Sequence, residues 1–206
     1  MYSEGSLVPA ESAPVGRRER NKQQKLERIV AAAAELFSER GVDEVTTQQI
    51  ADAADIGTGT LFLYAKTKGE LLLLVQNSHY ADALERGRAA SADARTPLDG
   101  MMALATPIIE CNRVQVENGR TYLREMVFGD PTEPHHAAAL AIVGETERAL
   151  AETLSRLAGV PAAEASDLAR VVSSIMFLTM ASSDAEVDVT QIVEGVRGQI
   201  SAILPR

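Results

Sequence analysis

The stretch TTQQIADAADIGTGTLFLYAKTKGELLLL, residues 46–74, carries the strongest local pattern in the chain. Thr46 and Gln49 stand three residues apart, which is the spacing at which a hydroxyl and an amide each bond a free backbone N–H at a helix start. Gly57 and Gly59 then provide the backbone freedom that a tight turn requires. We therefore predict a helix that starts at Thr46 and a turn at the two glycines.

A second short helix is expected over residues 58–64, directly after this turn. Thr67 and Glu70 repeat the capping-box spacing and predict the start of a longer helix at Leu71. Two short helices joined by a tight turn make a helix-turn-helix, whose second helix enters the major groove of DNA. The pattern therefore predicts a DNA-binding unit.

Residues 26–74 resemble the DNA-binding domain of TetR-type transcriptional regulators. The likeness rests on LERIVAAAAELFSERG, TTQQIADAA and GTLFLYAKTKGELL, which keep the family's order and cover about 50 of the 206 residues. Two positions depart from the family pattern, since Ala65 replaces an aromatic residue and Gly57 replaces a serine. The resemblance implies a ligand-responsive regulator, and we expect a repressor that binds a palindromic operator as a homodimer and is released by a small molecule.

Charge is distributed unevenly along a chain whose net charge is −9. Residues 17–28 hold six basic and two acidic residues, whereas residues 71–206 hold 11 basic and 18 acidic residues. This asymmetry points the basic end toward an anionic partner. An ordinary solvated charge run is the alternative interpretation.

Composition bounds the class of protein. At 46% hydrophobic residues the chain can bury a substantial core, and its one cysteine, Cys111, cannot form an internal disulfide. No stretch of 18 uninterrupted apolar residues indicates a membrane span, and the first 16 residues lack the apolar core of a signal peptide. We expect a cytoplasmic protein with no membrane partner.

Apolar spacing and punctuation predict an all-α fold. The first helix shows this spacing from Leu26 and stops at Gly41. Later helices are expected at 67–90, 97–117 (ended by Asn118–Gly119), 121–128, 134–157, 161–183 and 188–204. The predicted division is a disordered tail (1–19), a three-helix DNA-binding domain (20–66), and a helical ligand-binding and dimerisation domain (67–206).

Candidate DNA contacts lie on and around the helix-turn-helix. Hydroxyls and free N–H groups at a helix start bind phosphate, and threonine can also touch a thymine methyl group. Tyr64 and Lys68 match family positions that bind phosphate, and a basic arm ahead of the first helix is expected along the DNA. The set is Arg17, Arg18, Arg20, Lys22, Thr47, Gln48, Thr58, Thr60, Leu61, Tyr64, Lys66 and Lys68. Phe62 is expected to pack in the core.

The larger domain is predicted to bind a small-molecule effector. Pro107 lies inside a helix, where it removes an N–H donor and favours a kink that leaves room for a ligand. Candidate lining residues are Met101, Met102, Pro107, Cys111, Asn112, Tyr122, Met176 and Met180. Plain core packing is the alternative for each of them.

The last two helices are predicted to pair two subunits. Two glycines inside the final helix, Gly195 and Gly198, weaken it by roughly 1 kcal/mol each and suggest that another helix comes close. The predicted interface comprises Val172, Ile175, Thr179, Val189, Ile192, Gly195, Val196, Gly198, Gln199 and Ala202. A core within one chain is the alternative.

Other classes of protein find less support in the sequence. We identify no nucleophile elbow, glycine-rich phosphate loop or zinc-protease motif, and expect no catalytic residues, cofactor or metal. His135 and His136 are adjacent, so they point in different directions on a helix and are a weak metal candidate. The alternatives are a helical interaction module without ligand-controlled DNA binding and, with less support, an enzyme.

Overall fold

The structure is a computed structural model that describes residues 16–204. In that range the chain forms nine α-helices and no strand, which confirms the all-α prediction. The helices are α1 (Arg17–Arg40), α2 (Thr47–Ala53), α3 (Thr58–Leu61), α4 (Lys68–Ala92), α5 (Pro97–Arg113), α6 (Val116–Phe128), α7 (Pro134–Ala158), α8 (Ala162–Ser182) and α9 (Val189–Ile203).

Helix α1 begins earlier than predicted. The run RRERNKQQ at residues 17–24 contains no glycine or proline and consists mostly of good helix formers, so it continues the helix toward the N-terminus. The predicted tail is therefore wrong for residues 17–19, while residues 1–15 lie outside the described residues. At the other end, Gly41 adopts φ 79° and its N–H donates to the Phe37 carbonyl at 3.0 Å.

The core of the larger domain lies where α4, α5 and α7 pack on one another. Leu84, Leu104 and Leu150 are among its fully buried side chains. Gly87 permits the close approach of α4 to α5, because a Cβ there would lie 3.0 Å from the Leu104 Cα and 3.1 Å from the Ala103 oxygen. Helices α8 and α9 then pack against α7 and α5.

The junction between α5 and α6 departs from the prediction. Asn118 and Gly119 do not end a helix; both lie inside α6, which Gln115 caps by accepting the Asn118 N–H at 2.6 Å. Asn118 is used for a distant contact instead, since its side chain accepts from the Val42 N–H and donates to the Phe37 carbonyl. This bond pair ties α6 to the end of α1.

The other predicted ends of α4, α7, α8 and α9 agree with the structure within two residues. None of the helices in the described range has the length and apolar character that crossing a bilayer demands. Within residues 16–204, no group of three or more His, Cys, Asp or Glu side chains is placed to hold a metal ion.

Candidate nucleic-acid interface and effector cavity

The helix-turn-helix is closed by local hydrogen bonds. The Gln49 N–H donates to Thr46 Oγ1 at 3.2 Å, and Gln49 Oε1 accepts from the Thr46 N–H at 2.9 Å, so the predicted capping box is confirmed. The turn differs from the prediction, because Asp55 has the positive φ of 51° while Gly57 is extended at φ −73°. Aspartate tolerates this left-handed region because its short polar side chain can bond locally.

Side chains that we predicted to contact DNA also join α2 to α3. Thr58 Oγ1 donates to Gln48 Oε1 at 2.6 Å, and Gln48 Nε2 donates to Asp52 Oδ1 at 2.7 Å. Gln48 is exposed, and Thr47 and Thr60 are half-buried. The structure thus brings Gln48 and Thr58 together at the surface of the domain.

In the recognition segment, which we define as residues 58–64, two apolar residues have the opposite solvent exposure to the one predicted. Leu61 is 1% exposed, so its assignment as a DNA contact is wrong, whereas Phe62, predicted to be core, is 43% exposed. The segment tightens here, since the Leu63 N–H donates to the Thr60 carbonyl at 3.1 Å and the Tyr64 N–H to the Leu61 carbonyl at 2.9 Å. These three-residue bonds shift the phase of the side chains, and they leave Leu63 exposed.

The basic N-terminal half of α1 lies beside the recognition segment. The Tyr64 hydroxyl donates to the Lys22 carbonyl at 3.3 Å, which brings α1 and the end of the segment together. The exposed cations of this half are Arg17, Arg18, Arg20 and Lys22. The predicted arm ahead of the first helix is wrong, because all four residues belong to α1 and are carried by a regular helix.

The two lysines that follow the recognition segment are engaged within the protein. Lys68 Nζ donates to the carbonyls of Asp43 at 3.2 Å and Val45 at 3.1 Å, so it holds the connection between α1 and α2. Lys66 forms an ion pair and hydrogen bond with Glu133, which raise the pKa of the Lys66 ammonium. Contact of either lysine with DNA stays a prediction.

The α6–α7 junction (residues 129–136) touches the end of the recognition segment. His135 Nε2 donates to the Tyr64 carbonyl at 2.9 Å, and the His135 carbonyl accepts from Asn77 Nδ2 at 3.0 Å. Asn77 Oδ1 in turn accepts from the Tyr122 hydroxyl at 2.9 Å. This chain of bonds links α6 to the helix-turn-helix through groups for which the sequence offered no local signal.

Glu70 reinforces the same junction from α4. Thr67 accepts the Glu70 N–H as predicted, but the Glu70 carboxylate does not complete the capping box; it accepts from the His136 N–H at 3.1 Å. Burial raises the pKa of this carboxyl group, an effect opposed by the nearby His135 and by the bond from the His136 N–H. The sequence marked Glu70 as a cap, and only the packing of α7 reveals its second contact.

An apolar cavity of about 530 Å³ lies among α4, α5, α6, α7 and α8. Tyr80 and Tyr122 stack in its wall with ring centroids 4.2 Å apart, and burial raises the pKa of both phenols. None of the described lining residues is charged, and Thr146, Ser173 and Ser174 are the polar ones. A space of this size and polarity suits an apolar ligand.

Some of the predicted pocket residues line this cavity and others do not. Those that line the cavity are Tyr122, Met176 and Met180. Met101 and Met102 are buried in the core, and Pro107 and Asn112 are absent from the cavity lining, so contact of these four residues with an effector stays a prediction. Cys111 borders a separate surface depression of about 400 Å³, where burial raises the pKa of its thiol to about 11. Helical periodicity alone does not say which buried residues border this cavity.

The predicted dimer-interface residues also differ in their exposure on the subunit surface. Val172, Ile192 and Val196 are buried within the subunit, so their assignment to the interface is wrong. Ile175, Thr179 and Val189 are half-buried, and the exposed members are Gly195, Gly198, Gln199 and Ala202. A Cβ at either glycine would meet nothing within 4 Å in the subunit. The stripe of α9 thus packs inward, and its glycine face stays open.

Comparison with known proteins places the N-terminal unit in one family. Residues 29–75 match the profile of "Bacterial regulatory proteins, tetR family". The chain is 27% identical over 174 residues to the HTH-type transcriptional repressor KstR of Mycobacterium tuberculosis, covering 82% of this chain and 73% of that protein. The match therefore extends well beyond the helix-turn-helix.

Solved structures share the whole architecture. Thermus thermophilus FadR, a TetR-family transcriptional repressor in complex with lauroyl-CoA, superposes with a TM-score of 0.67 at 25% identity, covering 88% of this chain and 96% of that chain. AibR in complex with isovaleryl coenzyme A and operator DNA superposes with a TM-score of 0.60 at 17% identity, covering 85% and 97%. The second likeness concerns the fold alone.

Proposed function

We propose that this chain, whose residues 29–75 match the TetR-family profile, is a homodimeric repressor of that family that an acyl ligand releases from a palindromic operator. It is a DNA-binding transcription regulator, and the family match indicates a transcription factor rather than an enzyme. The observation that carries the proposal is the junction of an apolar cavity with the DNA-binding unit through a continuous chain of hydrogen bonds. We place the protein in the cytoplasm, with its DNA.

The DNA end of the proposal rests on shape and charge. The capped α2 and the recognition segment form a surface unit, and the cationic half of α1 lies next to it. Cations beside a helix that enters the major groove neutralise phosphates and set the orientation of the protein. In the proposed dimer each subunit reads one half-site, and the half-sites lie about one helical turn apart, on the order of 35 Å.

The ligand end rests on the cavity and on a neighbouring groove. The uncharged cavity wall suits an alkyl chain, and methionine side chains such as Met176 and Met180 adapt to ligands of different shape. An outer groove between α7 and α8 is lined by three arginines and two glutamates, Arg148, Arg156, Arg170, Glu147 and Glu152, and the one excess positive charge favours an anionic head group. An acyl group on coenzyme A has both parts, and the similar FadR structure holds lauroyl-CoA.

The release mechanism follows from the bonds at the α6–α7 junction. A ligand beside Tyr122 acts on the hydroxyl that bonds Asn77, and through Asn77 on His135 and the Tyr64 carbonyl. A ligand changes an equilibrium only through its different affinities for two states. In this proposal the acyl ligand favours the arrangement of α6 and α7 that holds the two recognition segments at the wrong spacing for DNA.

The test selects DNA fragments from a random genomic pool with the full-length protein and titrates the complex with two thioesters. Lauroyl-CoA is expected to release the DNA, whereas acetyl-CoA, with the same head group but almost no chain, is expected to leave it bound. Selection of no fragment would overturn the DNA-binding function, and equal effects of the two thioesters would overturn the acyl specificity.

A pair of variants on α8 locates the ligand. Ser173→Phe places a ring in the cavity, whereas Ser182→Phe places the same ring at an exposed position near the end of the same helix, outside the lining of both the cavity and the outer groove. Ser173→Phe is expected to bind operator normally and to need much more lauroyl-CoA for release. Ser182→Phe is expected to respond like the wild type, and equal responses of both variants would place the ligand elsewhere.

A further inference from the structure

The outward face of the recognition segment is apolar. We define this face by the three exposed positions of the segment, Gly59, Phe62 and Leu63. Phe62 is 43% exposed and Leu63 is 83% exposed, in a segment whose remaining apolar residue, Leu61, is buried. A surface helix normally turns polar side chains to water, so two adjacent exposed apolar side chains at this place require an explanation.

The hydroxyl groups around this face are largely engaged within the protein. Thr58 Oγ1 donates its proton to Gln48, and the Tyr64 hydroxyl donates to the Lys22 carbonyl. The side chains of Phe62 and Leu63 carry no hydrogen-bonding group at all. The centre of this face therefore has few means of reading the donor and acceptor groups of base edges.

Gly59 gives the face its shape. A Cβ added at this position would meet nothing within 4 Å inside the subunit, so internal packing does not require a glycine here. A glycine inside a short helix weakens that helix. The missing side chain leaves the backbone open to close approach from outside, beside the two apolar side chains.

The charge around the face decides what covers it. The exposed cations of α1 lie next to the recognition segment through the contact of Tyr64 with Lys22, and they favour a partner that carries negative charge. A DNA duplex offers phosphates to these cations and, in the major groove, one apolar group on base edges, the C5-methyl group of thymine. Apolar contact with that methyl group is a recognised form of sequence readout.

We propose that Phe62 and Leu63 read thymine methyl groups in the major groove of the operator, with Gly59 allowing the close approach. The inference rests on the DNA binding proposed above and names the chemistry of base recognition at that site. Each operator half-site accordingly contains thymines opposite this face, and their methyl groups contribute directly to affinity.

The experiment uses the full-length protein and the operator selected from a random DNA pool. Each thymine of the selected half-sites is replaced by deoxyuridine, which keeps every hydrogen-bonding group and lacks only the methyl. Removing a methyl that is buried against Phe62 or Leu63 is expected to weaken binding about fourfold, the equivalent of one buried CH₂-sized group. Thymines outside the contacted positions are expected to tolerate the replacement.

Variants assign the effect to side chains. Leu63→Ala and Phe62→Ala are each expected to bind thymine and deoxyuridine equally at one position, while keeping the wild-type preference at the other. Val114→Ala truncates an equally exposed apolar side chain at the α5–α6 junction and is expected to keep the full preference. Because Leu63 is almost fully exposed, its truncation is expected to leave the melting temperature unchanged.

The outcomes separate this inference from the proposed function. A protein that selects no DNA would overturn both. Selected operators that tolerate deoxyuridine everywhere, or a thymine preference that survives unchanged in both alanine variants, would overturn methyl readout and leave the regulator function standing. A loss of self-association in Leu63→Ala, measured by sedimentation, would show that the face meets a second copy of the chain instead.

Discussion

The recognition segment exposes two adjacent apolar side chains, whereas the apolar side chains of helices α4 to α8 line a cavity of about 530 Å³. The recognition segment is a run of consecutive residues in a helix-turn-helix that is closed by short-range bonds, as between Thr46 and Gln49 or Gln48 and Thr58. The second draws its wall from five helices between Tyr80 and Met180. The proposed DNA surface and the proposed ligand cavity thus differ in how the chain builds them.

The two regions also differ in their use of charge and of apolar packing. Cations at the DNA end stay in water, where they attract phosphate without a large desolvation cost. The described residues that line the cavity are uncharged, so in the proposed function the choice of acyl chain depends on shape and apolar contact. The α6–α7 junction connects the helix-turn-helix with the helices that form the cavity. The variants below test whether the two regions act independently or are coupled through this junction.

The largest effect is expected from a change in the C-terminal region that abolishes DNA binding without touching the DNA-binding unit. Gly195→Leu with Gly198→Leu adds side chains to a face of α9 that no other part of the same subunit covers. The isolated subunit is therefore expected to stay folded, and its α9 to gain helix propensity. Overpacking a subunit interface there costs about 1–3 kcal/mol or more. Sedimentation is expected to show monomers, and operator affinity is expected to fall steeply with them.

A dimer of normal mass in this double variant would contradict the assignment of the glycine face. Gly144→Leu is the matched control, since a Cβ at this exposed helical glycine of α7 also meets nothing within 4 Å. It is expected to leave both sedimentation and DNA binding unchanged.

The second largest effect concerns the cations of α1. Replacing Arg17, Arg18, Arg20 and Lys22 by glutamine removes charge but keeps good helix formers, so the melting temperature is expected to hold. DNA affinity is expected to fall at every sequence, and the dependence of log affinity on log salt to drop by roughly one unit for each phosphate that is no longer neutralised. A salt slope equal to the wild type would leave these residues as a solvated surface.

A smaller effect is expected where the two regions meet. Tyr122→Phe removes the hydroxyl that donates to Asn77 and leaves that amide oxygen without its partner, a loss of about 1–3 kcal/mol if it stays dry. Operator affinity without ligand is expected to change little, while release by lauroyl-CoA needs several-fold more ligand. Gel shifts with and without the thioester measure both quantities.

Tyr80→Phe is the matched control for this coupling. Tyr80 stacks on Tyr122 in the same cavity wall, but its hydroxyl accepts from Asn112 and has no bond to the junction. Tyr80→Phe is expected to release the operator at the same lauroyl-CoA concentration as the wild type. An equal loss of response in both tyrosine variants would mean that the stack, rather than the bond to Asn77, carries the effect.

The smallest effect is expected from the ion pair of Lys66 with Glu133. Glu133 holds the folded-state pKa of Lys66 above its ordinary value of 10.5, so the pair's contribution to stability is fully present below that pH and is lost as pH rises through the raised value. The melting temperature of Lys66→Met is therefore expected to lie slightly below that of the wild type by a constant margin from pH 6 to 9. Convergence of the two above pH 10.5 is the diagnostic result, and convergence already at pH 8 would contradict the pairing.

Local patterns predicted the helix starts well. Thr46 with Gln49, and Thr67 with Glu70, lie one helical turn apart, so the bond from the later residue's N–H to the threonine hydroxyl depends on no other part of the chain. The family resemblance was confirmed for the same reason, because its motifs lie in consecutive residues. Predictions failed where a side chain had a choice of partners: Asn118 looked like a helix end, yet it bonds Val42 and Phe37 at the far end of α1.

The sequence by itself determined the all-α fold, the helix-turn-helix and the basic end of the chain, since periodicity, capping and charge act over a few residues. Only the tertiary structure decided that Leu61 is buried while Leu63 is exposed, and that Glu70 bonds α7. It also decided which methionines border the cavity and which fill the core. These outcomes depend on how helices pack, and an apolar residue at helical spacing carries no mark of whether its neighbour across the interface is another side chain or a void.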